Sequence, residues 1–204
     1  NDYDHPLIIK VASIPQIRIQ VYFIDNEEYF KKKFLFKDSK GKYFNDNDER
    51  SMFFCRGVLE TVKKLGWMPD IVHCHGWMTA LMPVYLKSVY SNDPHFSSAK
   101  VIYSIYNRDE KIKFSKNLDE KLEFDNIPVS ELNITGSIGI NKLHEIGIQW
   151  SDAIGFCNSE IDTGLKELVK SSNKPLLEHQ EEDQLIKAHQ DFYDTVLSEN
   201  GVLA

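Results

Sequence analysis

His73 and His75 stand two residues apart in Pro69-Asp70-Ile71-Val72-His73-Cys74-His75-Gly76-Trp77, where two imidazoles, a thiol and an indole follow a short apolar run. Residues two apart on an extended strand point to the same face, so the imidazoles can act together. Joined by a carboxylate they would resemble a metal site, but Asp70 is the sole acid close by, and metal ligation is not expected. Cys74 reads as a small buried apolar residue rather than a nucleophile. Trp77 offers a flat apolar face on which a sugar ring could stack; the alternative is a core tryptophan that anchors the next helix. Tyr106 and Asn107 follow another apolar run and carry groups suited to a sugar hydroxyl. Gly136-Ser137-Ile138-Gly139 before a helical run could hold a phosphate, but a lone Gly-x-x-Gly is a weak signal and an ordinary turn is expected.

These residues need elements to position them. Leu7–Val11 and Ile17–Ile24 have strand chemistry and read as a hairpin or as neighbouring strands. The segment 25–45 is polar and loop-like. Asn47-Asp48-Glu49 opens a helix that runs to Leu65 and is closed by Gly66. Ile71–His75 reads as a buried parallel strand, and Met78–Tyr90 as the helix after it, with Pro83 a kink unless it falls near the true helix start. Lys100–Tyr106 is the next strand, which completes a βαβ unit and implies a right-handed crossover. Asn107–Ser137 reads as a long polar loop of the kind that often carries function. A helix over Ile140–Trp150, a strand over Ala153–Cys157 and a helix from Glu160 capped by Ser159 follow. From Pro175 onward no strand is expected, and Glu181–Leu197 carries an amphipathic stripe that reads as a terminal helix lying back on the domain. The expected organisation is an α/β domain over residues 1–175 and a helical tail over 176–204.

At 204 residues, 42% hydrophobic and 27% charged, the chain has enough apolar content for a sizeable core. A net charge of −7 argues against a nucleic-acid partner. The three cysteines, Cys55, Cys74 and Cys157, lie far apart and suggest no disulfide framework, which fits a cytoplasmic setting. No apolar run reaches the roughly 18 residues of a membrane span, so no membrane partner is expected. The chain starts at Asn1 with an apolar run close behind, and a longer gene product, with an amino-terminal part missing here, is expected.

Four stretches, in one order from Val21 to about Ser159, resemble the first domain of bacterial glycogen and plant starch synthases, glycosyltransferase family 5. Leu65–Lys87 is similar to its Pro-Asp-(Ile/Val)-(Ile/Val)-His-x-His-Asp-Trp segment. Val21–Phe30 is similar to its Val-Tyr-Phe-Ile-Asp segment, Asn45–Leu65 to its Asp-Asn-x-Glu-Arg helix, and Ile140–Ser159 to its Asn-x-Leu-Lys-x-Gly passage. The resemblance implies a Rossmann-like parallel sheet flanked by helices, the first half of a GT-B glycosyltransferase. It implies glucosyl transfer from ADP-glucose to an α-1,4-glucan, with both as partners and no cofactor or metal.

The departures are specific. Gly76 stands where the family has Asp, and Tyr106 stands where it has the active-site histidine of Thr-Ile-His-Asn. The family's Lys-x-Gly-Gly-Leu phosphate loop has no counterpart, since no Gly-Gly pair occurs in the chain. The substrate-binding set expected from the resemblance is therefore His75, Gly76, Trp77, Tyr106 and Asn107, with no catalytic residue assigned. Glucan synthesis by this domain alone is not expected. The alternative is a glycan-binding, regulatory or protein-interaction module, as a homo-oligomer or with a partner chain covering the cleft face.

Overall fold

The computed structural model describes residues 5–107 and 111–198. In chain order it contains β1 (Ile8–Ile14), β2 (Ile19–Asp25), α1 (Glu27–Phe30), α2 (Asn47–Lys64), β3 (Ile71–His75), α3 (Met82–Lys87), β4 (Lys100–Ile105), α4 (Leu118–Phe124), α5 (Val129–Leu132), α6 (Ile140–Trp150), β5 (Ala153–Phe156), α7 (Thr163–Ser171), β6 (Leu176–Leu177) and α8 (Leu185–Ser198). Two sheets form. β1 and β2 pair antiparallel as a separate hairpin, and β3-β4-β5-β6 form a parallel sheet in that order.

Local chemistry accounts for the main boundaries. Asp48 and Glu49 in the first turn of α2, and Lys63 and Lys64 in its last, each complement the helix dipole. Gly66, at φ +68°, takes the left-handed turn that ends the helix. Asn26 accepts hydrogen bonds from the backbone N–H of Glu28 and Tyr29, both at 3.0 Å, which starts α1.

The parallel sheet separates two apolar faces. Val101, Tyr103 and Ile105 of β4 enter the main core with Val84 of α3 and Leu143 and Ile146 of α6. Ile102, one residue out of phase, joins Ala153, Phe192 and Val196 in a smaller cluster beneath α8. The fold is thus α/β, a Rossmann-like parallel sheet flanked by helices.

Several boundaries differ from the sequence reading, each for a local reason. After β3 the chain makes a 3₁₀ turn over Trp77–Thr79, and α3 begins only at Met82, so Pro83 sits in its first turn, where its missing N–H costs nothing. The stretch read as a loop after Asn107 holds α4 and α5. Each is too short to show a period, yet they bury Leu118, Leu122 and Leu132. Its residues 108–110 lie outside those described. α7 is capped by Asp162, whose side chain accepts from the Leu165 N–H at 3.1 Å, and not by Ser159. β6, where no strand was expected, is two leucines paired with Ile154 and Gly155 of β5. Gly136–Gly139 is a stitched turn: the Phe114 N–H donates to the Ile138 carbonyl at 3.0 Å and the Ser137 hydroxyl to the Phe114 carbonyl at 2.6 Å.

The contact between α6 and β4 turns on one glycine. A Cβ on Gly147 would lie 2.6 Å from the ring of Tyr103, which is fully buried and shares a 2.7 Å hydrogen bond with His144 Nδ1. Alanine there gains up to about 1 kcal/mol of helix propensity, but the tethered ring cannot move aside. Gly147→Ala is therefore expected to lower stability by about 1–3 kcal/mol in urea denaturation, the opposite sign to that of an unobstructed helical glycine.

Candidate functional site at the carboxyl edge of the sheet

The strands β3 and β4 end side by side, with His75 opposite Ser104 in the parallel register. In open α/β sheets this carboxyl edge is where ligands bind. Tyr106 and Asn107 leave the end of β4, and the Asn107 N–H donates to Asn158 Oδ1 at 2.8 Å. His75 Nδ1 shares a 3.1 Å hydrogen bond with the Tyr106 hydroxyl, and His75 is exposed. Of the expected set, His75, Gly76, Tyr106 and Asn107 thus meet at one edge.

Trp77 does not share that exposure. It is 4% exposed, its ring centroid is 4.7 Å from that of Phe36 and 5.6 Å from that of Phe114, and its Nε1 has no hydrogen-bond partner among the described residues. The ring occupies the core, so it anchors the turn after β3 rather than offering a face to a sugar. Cys74 is likewise buried, and burial pushes its thiol well above the usual range.

Gly76 has φ +72° and ψ 178°, a backbone region that side-chain-bearing residues scarcely visit. Its N–H donates to the Ser104 carbonyl at 2.9 Å, and its carbonyl accepts from the N–H and hydroxyl of Thr79 at 3.1 and 3.0 Å. Among the described residues, a Cβ there would meet only Tyr106 Cδ2, at 3.6 Å. Space is available, so the obstacle to the family's Asp is the backbone conformation and not crowding. Gly76→Asp is expected to destabilise the fold by about 1–3 kcal/mol, read as a lower denaturation midpoint.

Behind this edge lies a half-buried polar group that the sequence reading did not assemble. His73 Nδ1 shares a 2.7 Å hydrogen bond with the Tyr193 hydroxyl and His73 Nε2 another with Ser104 Oγ, also 2.7 Å. The His73 ring stacks on His75 at 4.1 Å, and His189 of α8 stacks at 6.1 Å. His189 donates its Nδ1 proton to the Leu185 carbonyl at 2.8 Å. Tyr193 and His189 come from a helix more than a hundred residues downstream, and no local signal marks them as site residues. Among the described residues, no cluster of three or more His, Cys, Asp or Glu side chains could hold a metal ion.

Burial, and then the positive charges that His75 and His189 would carry, push the His73 pKa from 6.5 down to about 3. Burial and then His189 lower His75 as well. Both rings are therefore neutral near pH 7, each able to donate and to accept a hydrogen bond. A histidine depressed in the folded state contributes stability above its unfolded value near 6.5, and this is lost as pH falls toward about 3. Urea-unfolding free energies are expected to fall over that window with a slope of up to about 1.4 kcal/mol per pH unit from His73. His73→Asn, which cannot titrate, should flatten that slope.

A family profile described as the starch synthase catalytic domain matches residues 2–171. The glycogen synthase of Chlorobium limicola is 45% identical over 102 residues, covering 50% of this chain and 21% of that protein. That of Chlorobium phaeovibrioides is 37% identical over 150 residues, covering 72% of this chain and 30% of that protein. The chain therefore spans between a fifth and a third of the length of these relatives. In structure it is similar to the catalytic domain of starch synthase IV from Arabidopsis thaliana, solved with ADP and acarbose bound, at a TM-score of 0.65 and 18% identity, over 86% of this chain and 37% of that one. No helix among the described residues is long and apolar enough to cross a membrane. The ordered motifs from Val21 to Ser159, the parallel sheet and the profile match agree: this chain belongs to the starch synthase catalytic-domain family, glycosyltransferase family 5.

Proposed function

We propose that this chain serves α-glucan metabolism as the acceptor-side half of a glycogen or starch synthase, holding an α-1,4-glucan at the edge formed by His75, Gly76, Tyr106 and Asn107. The observation that carries this reading is the exposed, neutral His75–Tyr106 pair at the carboxyl end of parallel strands. A glucan is an uncharged polyol, and a neutral imidazole and a phenol offer it donors and acceptors without a charge to desolvate. The backbone of Gly76, free of a side chain, leaves that edge open.

The family reaction, glucosyl transfer from ADP-glucose, needs more than this. A departing diphosphate and an oxocarbenium-like centre call for cations and for hydrogen bonds to the reacting sugar. His75 and Tyr106 are neutral, so this edge suits holding the acceptor and not expelling a phosphate. Transfer then depends on groups from elsewhere in the polypeptide, from a second copy or from a partner chain over the cleft face. The three cysteines are free and a cytoplasmic setting suits them.

Calorimetric titration with maltoheptaose and with ADP-glucose tests the reading, alongside a labelled-glucose incorporation assay. Maltoheptaose is expected to bind at millimolar concentration, Tyr106→Phe to weaken it roughly two- to tenfold, as fits one lost hydrogen bond, and the chain alone to incorporate no glucose. Absence of binding by both ligands would favour the protein-interaction reading instead.

A further inference from the structure

Between α2 and α4 lies a groove of about 830 Å³ that shares no lining residue with the carboxyl edge of the sheet. Its floor is apolar, with Leu7 and with Met52 and Phe53 of α2. Its opposite wall is α4, from which Phe124 projects with 86% of its surface exposed. A phenylalanine so exposed beside an apolar floor is an unpartnered contact.

The rim is anionic. Glu28, Glu60 and Glu120 border the groove. The two cations in its wall are already engaged: Arg56 pairs with Asp125 at 2.6 Å, and Lys121 pairs with Asp48 at 2.9 Å and Glu49 at 2.7 Å. Among the described residues, Glu28 pairs with the imidazole of His5, at 3.1 Å, Glu60 meets Lys63 at 3.8 Å and accepts from the Tyr90 hydroxyl, and Glu120 has no ion pair. An occupant that brings positive charge is therefore favoured, and an anionic surface or nucleic acid is repelled.

Length separates a polypeptide from a small amine. Glu49, Phe53, Gly57 and Glu60 follow one another along α2 at helical spacing, so the groove runs for about 16 Å, eleven residues of helix rise. Two helical walls with an apolar floor are the setting in which an amphipathic helix lays its apolar stripe, its anchors spaced three and four residues apart.

We propose that this groove docks a basic amphipathic helix of a partner protein, its leucine-like stripe against Phe53 and Phe124 and its lysines or arginines against Glu28, Glu60 and Glu120. The site is separate from the carboxyl edge, so it stands or falls independently of glucan binding.

Fluorescence polarisation with a labelled leucine–lysine peptide of about four helical turns tests it, against an isomer of the same composition with the helical period scrambled, and against spermidine as competitor. The patterned peptide is expected to bind more tightly than its isomer and to weaken as sodium chloride is added. Phe124→Ser and Glu120→Lys change exposed side chains; each should weaken the peptide about tenfold or more while leaving maltoheptaose binding unchanged, with Glu120→Lys lowering the unfolding midpoint slightly because it removes an acid from the first turn of α4. Equal binding of patterned and scrambled peptides, unchanged affinity in both variants, or displacement by an equimolar amount of spermidine would each overturn the proposal.

Discussion

The parallel register of β3 against β4 is the constraint on which the rest depends. With His73 opposite Ile102 and His75 opposite Ser104, β3 alternates cleanly between two faces. Val72 and Cys74 turn to the main core, while Ile71, His73 and His75 turn to the side of α8. A slip of one residue would exchange these sets, driving two imidazoles into an apolar core and a buried thiol to the surface. Correct pairing lets Ser104 meet His73 and lets Tyr106, two residues beyond, meet His75.

The same register explains how the face beneath α8 is held. Phe192 and Val196 are the helix's buried apolar anchors, each worth of the order of 1.5–3 kcal/mol. A hydrogen bond of about 0.5–1.5 kcal/mol between Tyr193 and His73 is therefore a sizeable share of what fixes the helix. α8 also lies beyond the residues that match the family, which end at 171. The polar group that supports the candidate site is thus completed by an element outside the family resemblance, and the neutral His73, bonded to Tyr193, links the order of that helix to pH.

Much of this architecture was legible in the residues. Short β-branched runs bounded by turn residues marked every strand except β6, where two leucines are too few to carry a pattern. Pro83 announced an ambiguity that the 3₁₀ turn resolves. Asp162 competed with Ser159 for the cap of α7 and won, because its side chain reaches the Leu165 N–H. The site was legible in part: sequence placed His75, Gly76, Tyr106 and Asn107 at strand ends, which the parallel sheet brings together. It could not decide between surface and core for Trp77, since that depends on Phe36 and Phe114, both distant in the chain. Tyr193 was legible only as a member of an amphipathic stripe and His189 not at all, and the positive φ of Gly76 only as the absence of a carboxylate.

The central claim is that the carboxyl edge of β3 and β4 is where this chain holds a glucan. Amide chemical-shift mapping of the isotope-labelled protein during titration with maltoheptaose addresses it most directly. The account predicts saturable shifts confined to residues 75–79, 104–107 and 158, joined at most by 189–193 of α8. Saturable shifts located elsewhere, with that edge silent, would contradict it.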